Sequence, residues 1–138
     1  MHSIFLKKIA HLDIKTVGVL FADNNLNIQD IKNACELDYN GLMIDTLRKS
    51  GISTLDTLDN DLILSFISEC HIASKFCGLS GSIKYKDIEN TMHFKPDFIG
   101  FRGALCSPQT RDNIEPIQCK NILSAIKVIN QKMYQEAV

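Results

Sequence analysis

Two side chains four positions apart set the chemical question: Asp45 ends the apolar run Gly41-Leu42-Met43-Ile44, and Lys49 follows it shortly before Gly51. A carboxylate can move protons, and an amine can attack a carbonyl or hold an oxyanion, so this pair suits carbonyl chemistry. The plain alternative is a turn-capping Asp beside a solvated Lys. A second acid, Asp23, ends another apolar stretch, Val17-Gly18-Val19-Leu20-Phe21-Ala22. Two later segments suit an anion. Ser80-Gly81-Ser82 follows Phe76-Cys77-Gly78-Leu79, and Arg102-Gly103 follows Phe98-Ile99-Gly100-Phe101. Small residues let the backbone approach a phosphate closely, and a helix N-terminus just beyond them favours negative charge. Tight turns use the same residue types.

The elements that must position these groups alternate in type. Lys15 to Asp23 reads as a strand, and Asn27 caps a helix over Ile28 to Leu37 with Ile28, Ile31, Ala34 and Cys35 on one face. Leu42 to Asp45 is apolar enough for a strand buried on both faces. A polar loop from Thr46 to Asn60 follows, and a helix from Asp59 or Asn60 to about Lys75 buries Leu62, Ile63, Phe66, Ile67, Cys70 and Ala73. Phe76 to Leu79 is the third strand. Ser82 caps a helix from Ile83 to about Met92, which Pro96 ends. Phe98 to Phe101 is the fourth strand, and the last helix covers about Ile117 to Tyr134. Residues 3 to 11 read as the last turns of a further helix.

Strands alternating with crossover helices imply a parallel sheet with right-handed connections. The fold class is α/β. An open dinucleotide-binding sheet needs G-x-G-x-x-G after the first strand, where this chain has Asp23-Asn24-Asn25-Leu26. A (β/α)8 TIM barrel fits better, because its last two loops often hold a phosphate. A complete barrel takes about 250 residues, so four β/α units make half of one.

With 138 residues, 45% of them apolar, the chain has room for a single domain and one core. A net charge of −1 makes no broad electrostatic case for nucleic acid or a membrane surface. No apolar run reaches the roughly 18–20 residues of a membrane span, and no cleavable signal pattern is evident. The five cysteines are odd in number, scattered and without a CxxC pair, which points to a reducing cytoplasm. No His stands at ligand spacing beside a cysteine, so no metal is assigned. His11, His71 and His93 lie on expected helices or their ends and read as surface or core groups.

Leu42-Met43-Ile44-Asp45-Thr46 with Lys49, then Gly78-Leu79-Ser80-Gly81-Ser82, then Lys95-Pro96-Asp97-Phe98-Ile99-Gly100-Phe101-Arg102-Gly103-Ala104-Leu105-Cys106, resemble in order and spacing the (5-formylfuran-3-yl)methyl phosphate synthase family. The resemblance runs from about Ile4 to Ile129 and is most specific at Arg102-Gly103-Ala104-Leu105-Cys106. It implies a TIM-barrel lyase that condenses two molecules of glyceraldehyde 3-phosphate in methanofuran biosynthesis, with no metal or organic cofactor. Asp45 and Lys49 fall on the family's strand-six acid and lysine. Ser80, Gly81, Ser82, Arg102 and Gly103 fall on segments suited to substrate phosphate, and Asp23 would face the same mouth. This chain matches only the family's C-terminal half. The Schiff-base lysine and its companion aspartate belong to the family's first strand, a further lysine to the third, and none of them is present here.

Half a barrel leaves two strand edges and an apolar inner face uncovered, so the expected partner is a second copy or an N-terminal-half polypeptide. A non-catalytic phosphate-binding remnant or subunit is the other reading. A receiver-type domain would place an acidic cluster after its first strand, and neither Asp23 nor Asp45 has a neighbouring acid.

Overall fold

Apolar stretches with no side-chain polar group to satisfy pair through their backbones. In the computed structural model, which describes residues 12–48, 50–107 and 112–137, Val17–Phe21 forms β1, Gly41–Asp45 β2, Phe76–Leu79 β3 and Phe98–Ile99 β4. All three pairings are parallel, and the spatial order follows the chain order, β1-β2-β3-β4. Val19 lies beside Met43, Ile44 beside Leu79, and Leu79 beside Ile99. The expected residues 3 to 11 helix, His11 and Lys49 lie outside the described residues.

Among the described residues, five helices return the chain between and after these strands: α1 (Ile28–Cys35), α2 (Thr54–Thr57), α3 (Asn60–Ile72), α4 (Ile88–His93) and α5 (Pro116–Glu136). The Asn27 side chain accepts from the main-chain N–H groups of Gln29 and Asp30, and Asp30 reciprocates, forming a capping box at α1. Asp59 caps α3 by accepting from Leu62 at 2.7 Å. The Lys75 ammonium donates to the carbonyls of Leu37 and Tyr39 at 2.7 and 2.6 Å, anchoring the turn beyond α1.

Side chains alternate across a strand. Leu42 and Ile44 of β2 and Cys77 and Leu79 of β3 point to one side, where Ile31 and Ala34 of α1 and Ile63, Phe66, Ile67 and Cys70 of α3 bury them. The other side carries Val17, Val19 and Phe21, which stay 39%, 43% and 36% exposed, beside a half-buried Met43. On this side β2, the strand expected to be buried on both faces, is buried at Gly41 and half-buried at Met43 and Asp45. Connections of a single hand between sequentially ordered parallel strands keep the crossovers on one side of the sheet.

Two aromatic rings partly fill that open side. Gly41 is in register with Phe76 and Gly78 with Phe98, and a methyl group on either glycine would collide with its partner's ring. The two rings lie tilted against each other at a centroid distance of 6.0 Å.

Two local expectations are corrected. The loop from Thr46 to Asn60 contains α2, built on a capping box between Ser53 and Asp56. The helix expected from Ile83 begins at Ile88, preceded by a 3-10 turn at Tyr85–Asp87. Gly81 and Ser82 have φ of 93° and 52°, and this left-handed pair curls the chain before a helix can start.

Candidate active site

Asp45 is the last residue of β2, Ser80 the first after β3, and Gly100 the first after β4. Parallel strands bring their C-terminal ends to one edge, so these three loops meet there. They form a cavity of about 630 Å³ lined by Asp45, Thr46, Arg48, Ser80, Gly81, Ser82, Lys84, Gly100, Arg102 and Gly103, among others. Six of the eight site residues expected from the sequence thus line one cavity: Asp45, Ser80, Gly81, Ser82, Arg102 and Gly103. Asp23 is not among the lining residues, and Lys49 is outside the described ones.

The wall is held by backbone and hydroxyl contacts. Thr54, fully buried at the start of α2, donates its hydroxyl to the Ser80 carbonyl at 2.6 Å and its N–H to the Gly81 carbonyl at 3.0 Å. The short helix hidden in the loop therefore grips the Ser80–Ser82 turn. Gly81 is required there. A Cβ at this position would stand 2.5 Å from the Thr54 hydroxyl oxygen and 2.7 Å from the Thr46 main-chain nitrogen. Gly100 gives similar clearance to the Ser80 side chain, whose hydroxyl oxygen would be 2.9 Å from an added Cβ.

The two acids do different work. Asp45 accepts from the N–H of Thr46 at 2.7 Å through Oδ1. Asp23 accepts from the main-chain N–H groups of Leu47 and Arg48 through separate carboxylate oxygens, at 2.8 and 2.7 Å. Those two bonds, Leu47 first, hold the Asp23 carboxyl below the usual carboxylate range. Asp23 thus ties the loop after β1 to the loop after β2. Asp56 is likewise lowered by its bonds from Ser53 at the cap of α2.

Sequence reasoning missed two cations, Arg48 and Lys84. Arg48 stands next to the singled-out Lys49, and Lys84 lies two positions past the Ser80–Ser82 turn; both carry the signal of a basic residue beside a small-residue loop. Among the described lining residues, Arg48, Lys84 and Arg102 stand as three cations against the single carboxylate of Asp45, an electrostatic balance that favours an anion.

Sequential parallel strands, helical crossovers and a cavity at the C-terminal strand ends define a TIM-barrel-like β/α protein. The phosphoribosyl anthranilate isomerase of Thermus thermophilus shares this fold, with a TM-score of 0.58 over 83% of this chain and 51% of that one, at 10% identity. The chain belongs to the 4-HFC-P synthase family, whose profile matches residues 3–125. The (5-formylfuran-3-yl)methyl phosphate synthase of Methanococcus maripaludis is 36% identical over 86 residues, 62% of this chain and 36% of that protein. The protein of the same name from Methanococcus aeolicus is 40% identical over 65 residues, 47% of this chain and 28% of that one. The chain spans about two fifths of the length of the curated relatives it matches. No helix among the described residues is long and apolar enough to cross a membrane.

Proposed function

We propose that this chain is the C-terminal half of a (5-formylfuran-3-yl)methyl phosphate synthase barrel. In this reading it supplies the acid, the amine and the phosphate seat for condensing two glyceraldehyde 3-phosphate molecules. The observation that carries the proposal is the cavity at the C-terminal strand ends, which gathers Asp45, the Ser80–Ser82 turn and Arg102 with a surplus of cationic side chains. Family membership supports the substrate class.

In this reading the phosphate rests against Gly81, Ser82 and Gly103, with the Arg102 guanidinium offering paired donors to its oxygens. Arg48 and Lys84 add positive charge. Lys49, four residues past Asp45, attacks the aldehyde carbon through its neutral amine, and loss of water gives an imine. Asp45 carries the protons that this addition and dehydration move. Asp23 is a positioning residue, holding the loop that bears Arg48. Carbon–carbon bond formation with the second triose, hydrolysis of the imine and closure of the furan ring lose one phosphate and two waters overall, and the phosphate elimination makes the reaction that of a carbon–oxygen lyase.

The uncovered row of Val17, Val19 and Phe21 supports assembly with a second copy or with an N-terminal-half polypeptide. A second reading, a phosphate-binding subunit without catalysis of its own, draws support from the relatives' greater length.

Borohydride trapping decides between them. The full chain is incubated with glyceraldehyde 3-phosphate, reduced, and weighed intact. A triose-sized adduct that disappears in Lys49→Ala is expected. No adduct from a folded sample overturns catalysis by this chain's own lysine and leaves the binding subunit.

A further inference from the structure

At the N-terminal ends of the strands, opposite the cavity, three different donor types converge. His71 is the penultimate residue of α3, Cys77 is the second residue of β3, and Asp97 immediately precedes β4. The His71 ring nitrogen Nε2 lies 3.1 Å from Asp97 Oδ2 and 3.6 Å from Cys77 Sγ. All three donor atoms fall within 4.8 Å of one another. Asp97 Oδ2 also accepts from the Cys77 main-chain N–H at 2.7 Å, which fixes the carboxylate over the start of β3. We propose that His71, Cys77 and Asp97 form a binding site for a borderline-soft divalent cation of the zinc type.

The distances, set here by a direct His71–Asp97 ion pair, leave the three donors close enough to share a cation. Zinc bonds of about 2.0–2.2 Å to nitrogen or oxygen and 2.3 Å to sulfur, at tetrahedral angles, put neighbouring donors roughly 3.3–3.6 Å apart. The observed separations of 3.1 and 3.6 Å from Nε2 need only small adjustment. A Cys–His–Asp nucleophilic relay requires the acid on one ring nitrogen and the thiol on the other. Here both converge on Nε2, and Cys77 is fully buried, so no substrate reaches its sulfur. The His71 and Asp97 side chains are 49% and 44% exposed. Solvent thus reaches two donors while the sulfur forms the floor. Binding would release the thiol proton to solvent and leave a fourth position for water.

The location explains what such an ion would do. β4 is two residues long, in register with β3 at the Gly78–Phe98 and Leu79–Ile99 pairs and bonded to it through the Asp97 and Gly100 N–H groups. A cation held by residues of α3 and β3 and by the residue before β4 would pin that short strand at its start. The N-terminal face of such folds serves stability, and the site stands apart from the proposed chemistry. The sequence offered little sign of it. Cys77 follows His71 by six residues, too far for one helix face, and Asp97 is 20 residues further on.

The test is zinc titration of the metal-stripped, tag-free full chain against a chromophoric chelator, with cobalt(II) as a spectroscopic probe. The expected result is about one zinc per chain at micromolar affinity or tighter, and a thiolate-to-cobalt charge-transfer band in the near ultraviolet. His71→Gln, at a half-exposed position that keeps the fold by circular dichroism, should weaken zinc at least about tenfold. Cys77→Ala should abolish the charge-transfer band, and Asp97→Asn should weaken zinc while still accepting the Cys77 N–H. Zinc should raise the melting temperature of the parent chain more than that of His71→Gln. Less than about a tenth of an equivalent bound at 100 µM free zinc overturns the proposal. So does binding with affinity unchanged in His71→Gln.

Discussion

The Asp23 carboxylate accepts the main-chain N–H of Arg48 at 2.7 Å, although Asp23 itself does not line the cavity that Arg48 lines. Its other oxygen takes the N–H of Leu47. A strand-end acid that looks chemical in the sequence thus positions the next loop. An amide has one acceptor oxygen, so Asp23→Asn can keep only one of the two bonds and turns an NH2 toward the other N–H. The Leu47 or Arg48 amide should then exchange with solvent markedly faster than in the parent chain.

The same bonds set a pH dependence. A carboxylate with its pKa lowered on folding contributes stability above its unfolded value, about 3.8 here, and loses that contribution as pH falls through the lower folded value. The Leu47 and Arg48 amide resonances should therefore hold steady down to about pH 4 and shift only below it. A midpoint at or above the ordinary carboxylate value would show that the bonds do not persist in solution.

Thr54 is the buried link between the loop after β2 and the Ser80–Ser82 turn. Thr54→Val keeps the shape and strands the Ser80 carbonyl, at a cost of about 1–3 kcal/mol. For a chain of this size that lowers the melting temperature by roughly 3–6 °C per kcal/mol. Thr54→Ser should restore most of the loss. Equal melting temperatures for the Val and Ser variants would mean that the hydroxyl is not what holds the turn.

Much of this was legible because burial writes itself into composition. Leu42 and Ile44, or Phe66 and Cys70, recur at strand and helix spacing because one face of each element must leave water. The four strands therefore fell where expected, as did the bodies of α1, α3 and α5. What escaped was set by single torsions and single bonds. Four residues of α2 carry no periodicity; only its Ser53-x-x-Asp56 box marked it. The displaced start of α4 follows from the left-handed Gly81–Ser82 pair, a backbone state that Ser does not advertise. The role of Asp23 depends on a partner 25 residues away, which no local pattern encodes.

Val19 is 43% exposed in the middle of β1, on the face that no described helix covers. If a second copy or an N-terminal-half polypeptide covers that face, Val19→Lys places an ammonium in the new core and should abolish association. The stability of the isolated chain should change by less than about 0.5 kcal/mol, as for ordinary surface positions. Analytical ultracentrifugation over a concentration range, with and without an N-terminal-half polypeptide from a relative, reads both quantities. A parent chain that stays monomeric in every mixture would remove the case for assembly through this face.

Arg102 and Asp45 line the same cavity but should fail in different ways. Charged hydrogen bonds to an anion are worth about 1.5–3 kcal/mol, so Arg102→Ala should weaken inorganic phosphate and triose phosphate alike by about 10- to 150-fold. Asp45→Asn removes a negative charge without removing a donor to phosphate, so phosphate affinity should hold or rise slightly. Imine formation with glyceraldehyde 3-phosphate should nevertheless slow by about 100-fold or more if Asp45 moves the protons. Calorimetry with phosphate and the kinetics of borohydride trapping separate the two effects. If Asp45→Asn traps triose as fast as the parent chain, the proton carrier is another group. If Arg102→Ala binds phosphate unchanged, the anion seat lies elsewhere in the cavity, with Arg48 and Lys84 the remaining cations among its described lining residues.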